Sequence, residues 1–581
     1  MYPETPNPYP KERRRMAQII HVAGRVSEIN VGPGKLTPNG YEVLRKRYLK
    51  KDENGNPTEA PNRMFHRVAD NLAQAELNYM PLKDPNSHII AEAEARFYHT
   101  MASLDMLPNS PTLMNAGRRL QQLSACFVLP VEDSLADIFE SVKQSALIHK
   151  SGGGTGFDFS HLRPAGDMVY ATSGVASGPV GFMKIFDAAT EQVKQGGTRR
   201  GANMGILRVD HPDILTFIHA KLDGSLQNFN VSVGVEDSFM RAVQDGQEYE
   251  IINPHDGQAA GTLNAKMVWD LIAHTAWKCG DPGIVFLDAI NRDHPNPHLG
   301  RIESTNPCAE IPELPNESCN LASINLARMV RVDKDMSVNW AKLEGTINTT
   351  VRMLDNIIDM SEFPVPEIAA MSRKTRRIGL GVMGFADMLS MLALPYDSPE
   401  ARQFGSNLMS FIQQKTHKAS MELADERGSY PECEASLYQT PMRNTSPTAI
   451  APTGTISIIA GCSSGIEPIY DRQYTRTVLE GTTLMEGNWL YEAIQQNMHP
   501  KEQPDWADSF FKTAHEIAPE DHLMMLAAIQ SRVDNGVSKT INMPHTARPI
   551  DVSKVYMDAW RMDCKAISVY RDGSKENQVL S

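Results

Sequence analysis

Ser304-Thr-Asn-Pro-Cys-Ala-Glu-Ile-Pro312 is the stretch around which this 581-residue chain is best read. Pro307 and Pro312 exclude a helix across it, and Pro307 pushes Asn306 toward an extended conformation. In an extended chain, residues two apart project to the same side. Asn306, Cys308 and Glu310 are therefore expected in one row of amide, thiol and carboxylate. Such a row offers a radical carrier or nucleophile, a base and a hydrogen-bond orienter on one rigid segment. A surface turn with an incidental Cys and Glu fits the same letters, so the rest of the chain has to decide.

Three further segments carry unusual chemistry. Pro452-Thr-Gly-Thr-Ile-Ser-Ile-Ile459, preceded by Ala449-Ile-Ala, reads as a strand followed by a small hydroxyl- and Gly-rich turn. Such a turn presents backbone N–H groups and hydroxyls to an anion, and without a Lys it is not a Walker loop. An ordinary tight turn is the competing reading. Ser151-Gly-Gly-Gly-Thr-Gly156 follows a helix and lacks the strand–G-x-G-x-x-G–helix context of a dinucleotide fold. Its glycines would let the backbone approach a ligand closely. Lys194-Gln-Gly-Gly-Thr-Arg-Arg-Gly201 pairs glycines with cations, as an anion-contacting loop or as a solvated basic turn.

Around these segments the texture changes once. Residues 1 to about 105 read as mainly helical: Met64 to Leu77 places Phe65, Val68, Ala69 and Leu72 on one face, and Ser87 to Leu104 is a second run. Lys51 to Pro57 reads as a surface hairpin or loop. From Pro108 onward, short apolar strands (Ala125 to Leu129, Phe229 to Val235, Leu321 to Leu326, Ile567 to Tyr570) alternate with amphipathic helices. One helix starts at Asp133-Ser134, carries Leu135, Ile138, Phe139, Val142 and Ala146 inward and stops at Gly152. Others cover Phe182 to Val193, Lys266 to Lys278 and Trp340 to Met360. This alternation predicts one large α/β body.

Composition sets outer bounds. Hydrophobic residues make up 41% and charged residues 22%, so a disordered chain is not expected. A net charge of −13 offers no broad basic footprint for a nucleic-acid polymer. No apolar run approaches the ~20 residues that span a bilayer, and the charged stretch Lys11 to Arg15 is not followed by a secretory apolar core. A cytoplasmic location with reduced thiols is expected. The seven cysteines stand at 126, 279, 308, 319, 433, 462 and 564, and none forms a C-x-x-C, so no metal site is predicted.

Taken together, five strings resemble the catalytic subunit of ribonucleotide reductases: Leu107-Pro-Asn-Ser-Pro-Thr, Leu123-Ser-Ala-Cys-Phe, Asn306-Pro-Cys-Ala-Glu-Ile-Pro, Ser318-Cys-Asn-Leu-Ala-Ser and Pro452-Thr-Gly-Thr-Ile-Ser. The resemblance runs from about Leu44 to Gln578 and keeps order and spacing. It implies a ten-stranded α/β barrel of two antiparallel five-stranded halves with a central finger loop. That barrel domain would cover 106–581, after a mainly helical region at 1–105. It implies that Cys308 carries a transient thiyl radical, that Glu310 is the general base and that Asn306 orients the ribose hydroxyls. Cys126 and Cys319 would supply a proton and two electrons and end as a disulfide, reset by a thioredoxin- or glutaredoxin-type reductant.

The same resemblance assigns the ribonucleotide phosphates to Pro452, Thr453, Gly454, Thr455 and Ile456 with help from Ser110, while Ala125 and Gly154 line the substrate. Asp133 matches a ligand to the ribose of a deoxynucleotide or ATP effector, with a compatible role as helix cap. Lys194, Gln195 and Arg199 match the loop that relays effector identity. Cys279, Cys433, Cys462 and Cys564 read as ordinary core thiols. A homodimer is expected, because effector sites in many relatives lie at a subunit interface.

Three radical sources serve such enzymes. Lys565-Ala-Ile-Ser-Val-Tyr-Arg-Asp-Gly573 holds one Tyr where a version fed by a metal-carrying subunit has an adjacent pair, and it is not an R-V-x-G-Y glycyl-radical string. The Gly-Gly-Gly-Thr-Gly-Phe loop and the Val-Tyr-Arg-Asp-Gly-Ser ending resemble the adenosylcobalamin-dependent class, which implies that cofactor. Relatives in that class continue into a tail with a Cys pair, and Ser581 comes before any such pair, which leaves the reductant open. A small-subunit-dependent reductase and a nucleotide-binding regulator without catalysis are the alternatives.

Overall fold

A computed structural model describes residues 8–23, 29–30, 34–80, 88–169, 174–195, 199–333, 336–479, 482–497 and 505–574. The N-terminal part is helical, as expected. Helix α1 (Pro38–Arg47) begins where the Thr37 hydroxyl accepts from Gly40 N. Helix α2 (Pro61–Ala73) buries Met64, Phe65, Val68 and Leu72 in a single stripe. It is shorter than the periodicity predicts, because the chain tightens into a 3₁₀ turn at Gln74–Tyr79. Lys51 and Pro57 form one isolated bridge at the two ends of an exposed loop.

Beyond Asp105 lies a mixed α/β body. Five strands run parallel and adjacent in chain order: β1 (Cys126–Leu129), β2 (Gly154–Asp158), β3 (Asn203–Arg208), β4 (Phe229–Val235) and β5 (Gly283–Phe286). Parallel neighbours need crossovers, which here include helices α3 (Leu135–Ser151), α4 (Gly178–Gln192) and the helix Ala265–Cys279. On one side β1 meets β6 (Ser318–Asn325) antiparallel, and β6 runs parallel to β7 (Ile378–Met383). On the other, β5 meets β9 (Ala566–Arg571) antiparallel, and β9 runs parallel to β8 (Thr540–Met543). Met106–Pro108 adds a short antiparallel strand to β6. Residues 448–450 make two parallel bridges, Leu380↔Thr448 to β7 and Ile450↔Val537 to the chain entering β8. Every residue of β6 and β7 is buried, the pattern of strands covered on both faces.

Helix α3 corrects one expectation. Ser134 caps it by accepting from Asp137 N, and Gly152 ends it at φ 93°. Leu135 and Phe139, expected inward, are 65% and 51% exposed. The buried stripe is instead Ile138, Ser141, Ser145 and Ile148. Both stripes have helical spacing; the smaller residues face inward because α4 lies close against this side of α3.

The helical region is fastened to the α/β body by a buried ion network. Asp355 on α5 (Trp340–Met360) accepts from Arg376, Arg427, Arg443 and Asn444. Glu76, from the 3₁₀ turn, accepts from Arg352, Asn356 and Arg427, the last residue of α6 (Pro399–Arg427). Burial alone would raise the Asp355 carboxyl, but Arg376, Arg443 and Arg427 outweigh it and hold the group at about 2.

Candidate active site

Ser304–Thr305 and Pro312–Glu313 pair antiparallel, so the segment that opened the sequence reading is a hairpin. Its tip is not extended. Pro307 and Cys308 form a turn closed by Ala309 N donating to Asn306 O at 3.0 Å, and Ala309 sits at φ 63°. The expected single row of Asn306, Cys308 and Glu310 is thus replaced by a loop. The physical reason is Pro307, whose fixed φ also suits the second position of a tight turn. Cys308 is exposed at the tip, whereas Asn306 and Glu310 are buried below it.

The sheet holds this loop, hereafter the finger, by close contact. A Cβ on Gly156 would stand 1.7 Å from Thr305 O, and one on Gly154 would stand 2.9 Å from the Pro307 ring. The close approach foreseen for these glycines is therefore made by the chain's own loop. Asn230 of β4 donates to Pro307 O at 2.7 Å.

Beneath the finger, Cys126 and Cys319 are directly opposite one another across the β1–β6 ladder. Cross-strand partners have Cα atoms about 5 Å apart, within the span that a disulfide bridges without backbone movement. They are 4% and 0% exposed and reduced, and they pack with Ile311 of the finger. Asn306 Nδ2 donates to Cys126 Sγ at 3.2 Å, while Ile311 N donates to Asn306 Oδ1 at 2.9 Å. Burial pushes the Cys126 thiol well up, and Glu310, Glu313, Cys319 and Cys308 add to the effect. The fold thus pairs Cys126 with Cys319 and leaves Cys308, distant in sequence, near enough to act on Cys126.

Burial raises Glu310 to about 7, against a lowering hydrogen bond from Asn306. A base poised near neutrality is the form that proton abstraction at physiological pH requires. Ala125, just before β1, spends its N–H on Cys319 O and its carbonyl on Gly154 N.

A cavity of about 870 Å³ opens over the Cys308 tip. Pro307, Cys308, Pro452 and Gly454 line it, together with the aromatic residues Tyr470, Tyr474, Trp489 and Tyr570. The Pro452 to Ile456 segment runs into the short helix Ile456–Ala460, with Thr453 at φ 52° accepting from Gly465 N. Helix α1 packs on that short helix and brings Arg47 Nη1 to 3.4 Å from Thr455 Oγ1. The next residue, Tyr48, shares a 2.7 Å hydrogen bond with Ser110. Sequence reading missed Arg47, which is 408 positions from its partner, and a lone Arg on a short helix gave no signal.

Comparison with known proteins adds decisive observations. Residues 34–121 match the model of the ribonucleotide reductase all-alpha domain, and residues 124–442 and 434–570 match that of the barrel domain. The chain belongs to the ribonucleotide reductase family. It is 45% identical to a vitamin B12-dependent ribonucleoside-diphosphate reductase of Thermoplasma acidophilum, over 99% of this chain and 83% of that protein. It is 46% identical to a protein of the same description from Mycobacterium tuberculosis, over 94% of this chain and 81% of that protein. A ribonucleoside-diphosphate reductase subunit alpha of Chlamydia muridarum is 27% identical over 92% of this chain.

In this reductase the residues expected at an effector site are only partly brought together. Asp133 accepts from Arg163 Nε at 2.8 Å and pairs with His255 at 3.4 Å; the helix cap itself is Ser134. Lys194 and Gln195 pair with Arg200 and Arg199 in a two-stranded hairpin, whose tip at 196–198 lies outside the described residues. Asp133 borders a smaller cavity with Glu132, Ser160, His161, Arg208 and Glu303. Below it, Asp158, His161 and Glu303 converge, a cluster the sequence did not reveal. A hydrogen bond to Glu303 raises His161 to about 9, so it serves as the cation of that cluster. Of the remaining cysteines, Cys433 and Cys564 are buried, Cys279 is partly buried, and Cys462 lines the large cavity.

Proposed function

We propose that this reductase converts ribonucleoside diphosphates to 2′-deoxyribonucleoside diphosphates by thiyl-radical chemistry, with adenosylcobalamin as radical source. The observation that carries the reading is an exposed Cys308 at the mouth of the large cavity, above an opposed and buried Cys126–Cys319 pair. The cobalamin and diphosphate assignments follow the descriptions of the relatives at 45% and 46% identity.

The residues present fit such a cofactor. The cavity is near the upper end of the roughly 300–1,000 Å³ range of ligand pockets, and Tyr470, Tyr474 and Trp489 give it an aromatic wall beyond Cys308. Those three would hold the corrin. When bound, the group supplies a carbon-centred radical through homolysis of its cobalt–carbon bond.

The chain's own steps follow from position and proton affinity. Cys308 gives up its thiol hydrogen and takes the 3′ hydrogen of the ribose. Glu310 removes the 3′-hydroxyl proton, and Asn306 orients the hydroxyls. The 2′-hydroxyl leaves as water with a proton from the Cys126–Cys319 pair, which supplies two electrons and closes to a disulfide. Cys308 then returns the hydrogen, and an external thioredoxin- or glutaredoxin-type dithiol reopens the pair. Filling of the cavity by substrate and cofactor would shield the radical on the exposed Cys308 from solvent. Substrate phosphates lie on Pro452 to Ile456, with Ser110 and the Arg47 cation beside them; Ala125 and Gly154 back the substrate.

The finer architecture belongs to the same proposal. The two bridges at 448–450 support a tenth barrel strand between β7 and β8. The barrel then closes from two sets of five parallel strands, β1–β5 against the rest, with the helical region ending near residue 105. Asp133, Lys194, Gln195 and Arg199 read a deoxynucleotide or ATP effector. A second copy of the chain covers exposed Leu135 and Phe139 beside that site, forming a homodimer. No helix among the described residues is long and apolar enough to cross a membrane. A cytoplasmic setting with reduced thiols belongs to the same reading.

The test is anaerobic turnover of the purified chain with dithiothreitol, with and without adenosylcobalamin, on nucleoside di- and triphosphates. Cobalamin-dependent deoxynucleotide formation is expected, and Cys308→Ser should abolish it while the melting temperature stays put. Turnover that needs an added metal-carrying subunit would sink the cofactor assignment.

A further inference from the structure

Beneath the finger sits a carboxyl group that nothing in the fold engages. Glu313 ends the second arm of the hairpin opposite Ser304. It is 0% exposed, and neither of its oxygens has a hydrogen-bond partner among the described residues. The charged groups that act on it are Glu317, Glu310 and one cation, Arg377. That cation lies first on Glu317, with Nε donating at 3.2 Å and Nη2 at 3.2 Å from the same carboxylate, and Nη1 donates to Asn535 at 2.8 Å. An ionised Glu313 would have to share this one cation with Glu317, with no hydrogen bond of its own to offset burial, so the group keeps its proton. Ile311, two residues before Glu313 on the same arm, packs with Cys126 and Cys319, and residues two apart on an extended arm face the same side; Glu313 is also the charged residue that acts most strongly on the Cys319 thiol.

The Cys319 side chain faces a matching difficulty. When a disulfide is opened, one sulfur leaves as a thiolate, and a poorly stabilised thiolate leaves slowly. Cys319 is fully buried, and Glu313, Glu317 and Glu310 outweigh the single cation Arg377 around it, so its thiolate is disfavoured and has to be neutralised from within.

We propose that Glu313 is the internal acid that protonates Cys319 when the Cys126–Cys319 disulfide is reopened, a proposal resting on the cysteine-pair reading above. A thiolate of the external dithiol attacks Cys126 Sγ, the less buried of the two sulfurs. The S–S bond breaks and its electron pair goes to Cys319 Sγ, which takes the Glu313 proton directly or through one water. The second thiolate of the dithiol then displaces Cys126, leaving an oxidised dithiol and two protein thiols. Glu313 regains its proton from the two released by the dithiol.

The test uses the full chain with adenosylcobalamin. One turnover without reductant oxidises the pair, dithiothreitol is then added, and thiols are counted by alkylation over time. Glu313→Gln and Glu313→Leu should re-form their two thiols at least tenfold more slowly than the unsubstituted chain. In the variants that rate should climb with pH as dithiothreitol ionises, whereas the unsubstituted chain levels off once Glu313 loses its proton. Both variants should fold, because each removes an unpartnered buried carboxyl. Equal re-reduction rates would overturn the proposal, as would a variant that loses the single-turnover burst in the same proportion, since Glu313 would then be scaffold. Failure of the unsubstituted chain to lose two thiols on turnover would instead remove the cysteine-pair reading itself.

Discussion

Two clusters of buried acids lie in this molecule, and they behave in opposite ways. Around Asp355, three arginines and an asparagine converge on one carboxylate and hold it at about 2. At the finger, Glu313 and Glu317 share a single arginine, and Glu310, buried and hydrogen-bonded only by Asn306 and backbone, rises to about 7. Asp355 and Glu310 are almost equally buried. Burial therefore does not decide the protonation state; the local supply of cations does. The first cluster ties the helical region to the α/β body, and the second holds carboxyls of raised proton affinity at the finger.

The contrast can be broken at several points. If Glu310 acts as a base, Glu310→Gln should lower kcat by about 10²–10⁴-fold with KM little changed, measured in cobalamin-supplemented turnover. A rise in KM alone would place its role in binding. Asp355→Ala should leave Arg376, Arg427 and Arg443 facing one another around an empty site, and should destabilise the chain by about 3–5 kcal/mol in chemical denaturation. Undiminished stability would mean that the network is ornamental.

The pH dependence sharpens the comparison further, since the two groups have opposite signs. Glu310 has a folded value of about 7 against an ordinary 4.5. Its contribution is fully present below about 4.5 and is lost as pH rises through 7. Asp355, at about 2 against 3.8, contributes above 3.8 and loses that contribution as pH falls through 2. Glu310→Gln should therefore gain on the unsubstituted chain between pH 4.5 and 8, by about 3 kcal/mol at most. A flat difference across that range would contradict the raised proton affinity.

Much of this was legible from sequence. Phe229 to Val235 and Trp340 to Met360 were delimited to the residue, because alternation and helical periodicity are strong in both. Cys126, Cys308 and Cys319 announced themselves through short strings, and the fold gathers them. What stayed hidden depends on partners distant along the chain. Arg47 meets Thr455, and Glu76 meets Arg427, only after folding. Periodicity fixes which residues share a stripe but not which stripe turns inward, and so Leu135 and Phe139 were misplaced. Pro307 was read for the extended geometry it favours before it, whereas the turn it starts set the loop.

Gly156 has a consequence of its own. With Thr305 O lying where a methyl group would otherwise be, the wall of the sheet acts as a template against which the reactive loop is seated. The location of the thiol is inherited from main-chain fit and owes little to side-chain rotamers. An alanine at that position would push the hairpin off the sheet and carry the Cys308 sulfur away from the place the main chain now gives it.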